Sequence, residues 1–355
     1  MGLDRVECVA DRPGTRDDSG KNERLVIGGR HADAIVEPAG LYRNPTGEPP
    51  MVRVALLSGG VGGARLARGL YALDGVDTSI IVNVGDDEVV YGLDVSPDID
   101  TVLYTLASVE GPHGWGIEGD SADVMSHLES LGLDTTFRIG DRDLATNLLR
   151  TQMLRDGASL SEVTRRIASA LGVTATVLPV TDDTVRTMLR VDDGWIRFQE
   201  YFVLRGQKDP VRDIRFDGAE LATPAQGVLD AIRAADVVLI APSNPPLSIW
   251  PILAIPDVAD AVAAAPRVIC VSPLFGGRAL KGPAHAVLRS LGMSAGNRGV
   301  VEAYRGLLDD LVIDIGDAPD RSRLSDMGLR IHVHDTRISE SDAAAAFAEW
   351  LMGLL

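Results

Sequence analysis

Short, almost uninterrupted apolar runs alternate with segments of helical periodicity along most of the chain. The runs cover residues 52–57, 79–84, 236–240 and 267–271, and residues 64–73 carry apolar side chains at helical spacing. Uninterrupted apolar strands between helices are typical of a parallel sheet that is covered on both faces. The pattern therefore predicts an α/β fold with a doubly wound, mainly parallel Rossmann-like sheet.

The middle of the chain has a different pattern. Residues 120–172 have helical spacing with Gly and Ser breaks, and residues 175–216 contain short strand candidates such as 195–204. Mixed elements of this kind between two sheet-forming regions indicate an insertion. We therefore predict one domain over residues 51–355 that contains an inserted helical and mixed subdomain at about 110–225.

Residues 1–50 mix charges of both signs with Gly and Pro, and no apolar stretch follows a basic start. This composition predicts a disordered N-terminal extension and argues against a secretory signal. A second interpretation is that translation starts at Met51, directly before the first apolar run. No catalytic role is assigned to this segment.

Composition and charge exclude several function classes. Hydrophobic residues make up 45% of the chain, and no apolar run approaches the roughly 20 residues that cross a bilayer. The formal net charge of −17 argues against partners such as nucleic acid or an anionic membrane. Two cysteines are too few for a disulfide framework or a structural zinc site, so a reducing cytoplasmic location is expected.

A glycine-rich segment follows the first apolar run. Gly59, Gly60, Gly62 and Gly63 lie between a predicted strand and a predicted helix, where glycines let the backbone approach a phosphate at a helix N-terminus. Arg65 stands where the dinucleotide fingerprint has its third glycine, and no Gly-Lys-Ser/Thr follows. We predict phosphate binding, with a tight strand-to-helix turn as the alternative.

The next segment is strongly acidic. Residues 69–137 contain fourteen acids and no Lys or Arg. Asp86, Asp87 and Asp98 fall at or after the second strand, close to the glycine segment in a doubly wound sheet. Clustered carboxylates beside a phosphate site favour Mg²⁺, so we predict a metal site among the acids of residues 86–100. The alternative for Asp98 is a charge that stabilises the first turn of its helix.

Other candidate ligand residues follow later strands or end the acidic segment. Arg138 and Arg142 are the first cations after the acids, and either could hold an anion. Ser243 and Asn244 lie in a proline-rich turn, and Lys281 lies in a glycine-rich segment. For each of these the alternative is an ordinary connection between a strand and a helix.

Four segments together resemble one family. They are residues 57–65 (LSGGVGGAR), 82–87 with 96–101 (VNVGDD and SPDIDT), 140–145 (GDRDLA) and 241–245 (APSNP). Their order resembles the 2-phospho-L-lactate transferase family of coenzyme F420 biosynthesis, the CofD/FbiA family. The resemblance spans about residues 51–355.

The resemblance implies a Mg²⁺-dependent transferase and a homodimer. It would move a phospholactyl or phosphoenolpyruvyl group from a guanosine-diphosphate-activated donor to the hydroxyl of the deazaflavin FO, with release of GMP. Asp98 would bind FO or the metal, Arg138 would contact FO, and Asp86 or Asp87 would help to hold the metal. Trp115 and the helical insert would be walls of the pocket for the flat FO ring.

The same resemblance assigns the guanosine diphosphate portion to the glycine segment, Ser243, Asn244 and Lys281. Two other functions remain open at this point. One is a non-enzymatic nucleotide-sugar-binding regulator with a related Rossmann-like fold. The other is a dinucleotide-dependent oxidoreductase, against which the missing third glycine counts.

Overall fold

The structure is a computed structural model that describes residues 51–280 and 282–355. The predicted N-terminal extension, residues 1–50, and Lys281 lie outside the described residues. In the part that is described, no helix is long and apolar enough to cross a membrane.

The strands are β1 (Val52–Ser58), β2 (Val76–Val82), β3 (Glu88–Val90), β4 (Leu93–Val95), β5 (Thr176–Pro179), β6 (Arg186–Val191), β7 (Gly194–Arg197), β8 (Asp213–Asp217), β9 (Val237–Ile240), β10 (Val268–Val271), β11 (Leu274–Phe275), β12 (Arg278–Ala279), β13 (Asp310–Asp314) and β14 (Arg330–His334).

The α-helices are α1 (Gly60–Tyr71), α2 (Pro97–Leu106), α3 (Asp123–Ser130), α4 (Asp141–Arg155), α5 (Leu160–Ala170), α6 (Val228–Ala234), α7 (Trp250–Leu253), α8 (Val258–Ala263), α9 (Ala284–Ser290), α10 (Asn297–Ala303), α11 (Arg321–Ser325) and α12 (Ser341–Met352). Short π-helices cover Glu200–Leu204 and Pro245–Ile249, and 3-10 turns cover Ala219–Leu221 and Ile315–Asp320.

The central sheet has seven parallel strands in the order β14-β13-β10-β9-β1-β2-β5. The chain adds β2 and β5 on one side of β1 and then returns to add β9 and the later strands on the other side. The predicted α/β sheet is confirmed, and its topological switch point lies between β1 and β9. Ligands bind at the carboxyl ends of the strands at such a point.

The strands of the central sheet are apolar along their length because their side chains are buried. Leu56, Leu57 and Ile240 are fully buried, and α1 packs against α2 and α12 beside the sheet. Complete burial of such side chains contributes about 1.5–3 kcal/mol each, so the sheet is a rigid platform for the loops at its edge.

The predicted insert contributes to two sheets. Within residues 110–225, β5 joins the central sheet, whereas β7, β6 and β8 form a separate antiparallel sheet. The predicted strand over 195–204 is wrong in its second half, because a π-helix begins at Glu200. Tyr201 is buried in a small separate core there, and the Gln199 side-chain amide donates to the Asp86 carbonyl oxygen at 2.9 Å. The insert therefore supports the loop that follows β2.

A buried arginine joins α2 to α4. Arg150 is 1% exposed and donates from Nη2 to the Asp100 carboxylate. Alongside this pair, the Tyr104 hydroxyl donates to Asp143 Oδ1 at 2.8 Å. Because Asp98 lies in the first turn of α2 and Arg138 shortly precedes α4, this contact fixes two predicted site segments relative to each other.

We expect Arg150→Met to destabilise the fold strongly. The substitution leaves the Asp100 carboxylate buried without its cation, and breaking a buried pair in this way costs about 3–5 kcal/mol. Denaturant unfolding at pH 7 measures the loss, with Arg166→Met on the exposed face of α5 as the control. Equal stability of the two variants would contradict this role, and Arg150→Met/Asp100→Leu should recover part of the loss.

Candidate active site

Three strand ends meet at the switch point. β1 ends at Ser58, β2 is followed by Asn83, and β9 leads to Ser243. Gly59 N–H donates to Ser243 Oγ at 3.3 Å, and the Ser243 hydroxyl donates to the Gly59 carbonyl oxygen at 2.6 Å. Ser243 is buried, so its hydroxyl holds the turn after β1 in place.

The glycine segment is part of the first helix. The predicted helix starts at residue 64, but α1 already begins at Gly60, which has φ +65°. A Cβ added to Gly62 would lie 2.2 Å from the Pro242 carbonyl oxygen, and one added to Gly63 would lie 2.3 Å from Ser58 Oγ. Close packing against the neighbouring strand ends is thus sufficient to require these two glycines. We refer to residues 59–63 as the glycine turn.

Asp98 lies directly against the glycine turn. Its Oδ1 accepts from the Gly60 N–H at 2.6 Å, and its Oδ2 accepts from Asn83 Nδ2 at 2.9 Å. A Cβ on Gly59 would lie 2.7 Å from Asp98 Oδ2, so only glycine leaves room for this carboxylate. Asp98 therefore bridges the turns after β1 and β2, in addition to any interaction with the dipole of α2.

Asn83 is a residue of the site to which the sequence analysis assigned no role. It is fully buried, and its Nδ2 lies 3.2 Å from Asp86 Oδ1 as well as 2.9 Å from Asp98 Oδ2. Its own Oδ1 accepts from the Gly85 N–H at 2.7 Å, which fixes the orientation of the amide. A polar amide directly after a buried strand at the switch point is the signal that could have identified it.

The three predicted metal ligands divide into a pair and a single residue. Asp86 and Asp98 share the Asn83 amide, whereas Asp87 Oδ2 accepts from the Ser96 hydroxyl at 2.8 Å. Asp87 also lines a separate cavity of about 100 Å³. Over residues 51–280 and 282–355, no three His, Cys, Asp or Glu side chains are arranged to hold one ion.

Burial makes ionisation of these carboxylates costly. Desolvation raises the pKa of Asp98 to about 6 and that of Asp87 to about 7. The pKa of Asp86 is raised well above its ordinary value by desolvation first and by the nearby Asp98 charge second. Neither Asp86 nor Asp98 forms an ion pair with a cation among the described residues. Two such carboxylates fit Mg²⁺, which proteins often bind through one or two carboxylates together with substrate phosphates.

Arg138 lies in the segment before α4 and is exposed. No hydrogen bond or ion pair joins it to Asp98 in the described part of the chain, so a ligand would have to span the two side chains. The start of α4 is fixed by the Asp120 carboxylate, which accepts from Arg142 N–H at 2.9 Å and from Asp143 N–H at 3.1 Å. The Arg142 guanidinium donates to the Glu118 carbonyl oxygen at 3.3 Å.

Of the remaining residues that are predicted to contact the nucleotide, the structure describes Asn244. Asn244 is partly buried, and its Oδ1 has no hydrogen-bond partner among the described residues. It directly follows Ser243, whose hydroxyl bonds the Gly59 backbone. Lys281 lies outside the described residues.

The arrangement as a whole combines polar groups with a pair of carboxylates. It places a helix N-terminus, a buried carboxylate pair and the end of β9 at one edge of the sheet. Such a set can hold phosphate groups and a divalent cation and can accept a proton beside them. The geometry is thus suited to the transfer of a phosphate-linked group.

Comparison with known proteins agrees with this chemistry. The profile of the family described as "2-phospho-L-lactate transferase CofD" matches residues 54–349. A 2-phospho-L-lactate transferase of Methanopyrus kandleri is 45% identical over 266 residues, which cover 74% of this chain and 85% of the relative. A phosphoenolpyruvate transferase of Kitasatospora aureofaciens is 38% identical over 313 residues, which cover 85% and 98%.

The fold has a solved counterpart. A crystal structure of a UPF0052 family protein from Bacillus halodurans superposes with a TM-score of 0.61 at 18% identity and covers 86% of this chain and 100% of that one. At this identity the likeness shows the fold alone. The extent of the family match and the identity to full-length relatives show that this chain belongs to the CofD family of 2-phospho-L-lactate transferases.

Proposed function

We propose that this protein is a transferase of coenzyme F420 biosynthesis. It moves a phospholactyl or phosphoenolpyruvyl group from a guanosine-diphosphate-activated donor to the hydroxyl of the deazaflavin FO. The products are GMP and F420-0 or dehydro-F420-0. The observation that carries the proposal is the Asp98 carboxylate, which contacts both the glycine turn and Asn83 at the switch point of a CofD-family sheet.

The proposed reaction is an in-line displacement at phosphorus. The FO hydroxyl oxygen attacks the phosphorus that bears the acid group, a new P–O bond forms, and the P–O bond to GMP breaks. Asp98, whose carboxylate lies between the glycine turn and Asn83, is assigned to accept the hydroxyl proton. The N–H groups of Gly59 and Gly60 already donate to Ser243 and Asp98, so the donor phosphates are assigned to the N–H groups that follow them in the first turn of α1.

Asp86 and Asp98 would hold Mg²⁺, whereas Asp87 accepts from Ser96 and lines a separate cavity and is therefore not assigned to the ion. When bound, the ion supplies charge neutralisation for the diphosphate. Arg138 is assigned to the acceptor, and Ser243, Asn244 and Lys281 are assigned to the guanosine diphosphate portion. In this arrangement Ser243 acts by fixing the glycine turn, since its hydroxyl already bonds the Gly59 backbone.

The relatives that match the chain carry two different activity names. One is named a 2-phospho-L-lactate transferase and another a phosphoenolpyruvate transferase. We therefore keep the lactyl and enolpyruvyl donors as equal candidates and include the glyceryl form in the test. We propose further that the protein is a homodimer and acts in the cytoplasm.

The direct test is a chromatographic assay of purified protein with Mg²⁺, FO and each of the three guanosine-diphosphate donors. We expect a new FO phosphoester and an equal amount of GMP with one donor, and neither product in EDTA. Absence of product with every donor, together with tight binding of a nucleotide sugar, would support the regulator instead.

We expect Asp98→Asn to lower kcat by at least about 10²-fold, because the variant lacks both the negative charge and the proton acceptor. Asp74→Asn is the matched control, since Asp74 is an exposed acid of the same cation-free segment. Circular dichroism should be unchanged in both variants. Turnover of Asp98→Asn at the rate of the control would exclude the assigned role.

The buried carboxylates also predict a pH-dependent response to Mg²⁺. Because folding raises the pKa of Asp98 to about 6, the folded state binds protons more tightly than the unfolded chain, and stability declines as pH rises from about 4 through 6. A bound cation would offset the cost of burying the ionised carboxylates. We therefore expect the Mg²⁺-induced increase in melting temperature to be larger at pH 7.5 than at pH 5.

The same argument predicts the stability and the Mg²⁺ response of the Asp98→Asn variant. Without Mg²⁺ at pH 7.5, Asp98→Asn should be more stable than the wild type by at most about 3 kcal/mol, since each pKa unit corresponds to about 1.4 kcal/mol. Its response to Mg²⁺ should be smaller. An equal Mg²⁺ response of wild type and variant at both pH values would show that the carboxylate pair does not bind the ion.

A further inference from the structure

The loop that carries Asp86 is held by the insert as well as by Asn83. Gln199 is buried, and its Nε2 donates to the Asp86 carbonyl oxygen at 2.9 Å. One residue earlier, the Gly85 carbonyl oxygen accepts from the Thr187 N–H at 2.6 Å. Two consecutive carbonyl groups of this loop are therefore hydrogen-bonded to the insert.

Close packing adds to these hydrogen bonds. A Cβ added to Gly85 would lie 2.5 Å from Thr187 Oγ1 and 2.8 Å from Pro251 Cβ. Thr187 belongs to β6 of the insert, whereas Pro251 belongs to α7, which follows β9. The loop after β2 is thus enclosed between the insert and the segment that follows Ser243 and Asn244.

Gln199 directly precedes one of two π-helices, and both of these π-helices are next to the site. The first covers Glu200–Leu204 and the second covers Pro245–Ile249. π-Helical segments are rare in proteins and are found frequently at functional sites. A Cβ added to Gly59 would lie 2.7 Å from Ser248 Cβ, so the second π-helix packs on the glycine turn.

One small core joins the two π-helices. Tyr201 lies in the first π-helix and Leu247 lies in the second. Both belong to one cluster of buried side chains, which consists of Leu189, Val191, Ile196, Tyr201, Val211, Leu247 and Val287. Because buried side chains are closely packed, this core fixes the position of Gln199 relative to the glycine turn.

We infer that Gln199 is a positioning residue for the binding of Mg²⁺. Through the Asp86 carbonyl oxygen it fixes the backbone from which the Asp86 carboxylate reaches the Asn83 amide. Loss of a hydrogen-bond partner behind a metal ligand typically lowers metal affinity about 10- to 100-fold. The inference rests on the proposed function and gives the insert a role in it, which is to hold one ligand of the ion at a fixed distance from the glycine turn.

The chain offers a matched pair of variants. Gln199→Met removes the N–H donor and keeps an unbranched, flexible side chain that can fill the same space. Gln152→Met is the control, because Gln152 is exposed on α4 and has no part in the site. The two variants make the same chemical change, so a difference between them reports on the hydrogen bond to Asp86.

The experiment uses the full chain and begins without metal. We expect amide hydrogen exchange over residues 83–90 to be faster in Gln199→Met than in the wild type or Gln152→Met, because the loop has lost one of its hydrogen bonds. Calorimetry in the presence of GDP then measures the Kd for Mg²⁺. This Kd should rise about 10-fold in Gln199→Met and stay unchanged in Gln152→Met.

Steady-state kinetics separate positioning from a general loss of structure. The Mg²⁺ concentration that gives half the maximal rate should rise in Gln199→Met by about the same factor as the Kd. The kcat at saturating Mg²⁺ and the KM for FO should equal those of Gln152→Met. A general loss of structure would instead lower kcat at every Mg²⁺ concentration.

Three results would overturn the inference. The first is an Mg²⁺ affinity of Gln199→Met equal to that of Gln152→Met, and the second is unchanged hydrogen exchange over residues 83–90. The third is a loss of kcat that saturating Mg²⁺ does not restore. If the wild type converts FO and Gln199→Met binds Mg²⁺ normally, only this inference fails. If the wild type does not convert FO with any donor, the proposed function fails, and the exchange and calorimetric results still decide the role of Gln199.

Discussion

The site depends on one buried carboxylate that joins two strand ends. Asp98 accepts from the Gly60 N–H and from Asn83 Nδ2, so the turn after β1 and the turn after β2 are held together by a charge on α2. Three surrounding features keep this charge in place. Gly59 leaves room for it, Ser243 fixes the turn, and the Arg150–Asp100 pair anchors the helix that carries it.

This arrangement concentrates unfavourable electrostatics at the proposed ligand site. Asp86 and Asp98 both accept from the side-chain amide of Asn83 in a buried environment. Desolvation raises the pKa of both carboxyl groups. A divalent cation bound between the two carboxylates would relieve that electrostatic cost. In the proposed function, the cost in stability and the binding of the cation therefore have the same physical origin.

Much of the fold could be predicted because its signal is local. Uninterrupted apolar strands identified the parallel sheet, and Asp98 was correctly placed in the first turn of a helix. Contacts between distant segments carry no local signal. The packing of Gly62 on Pro242, the role of Asn83 and the separation of Asp87 from Asp86 depend on which strand ends meet. The π-helix after Gln199 was missed for the same reason, since its core is formed by remote residues.

The most direct test of the account measures GDP binding by calorimetry with and without Mg²⁺, in the wild type and in Asn83→Leu. The amide of Asn83 holds the two carboxylates together, and its replacement leaves all three predicted metal ligands in the chain. The account predicts that Mg²⁺ strengthens GDP binding in the wild type and that most of this gain is lost in the variant. An equal Mg²⁺-dependent gain in both proteins would contradict it.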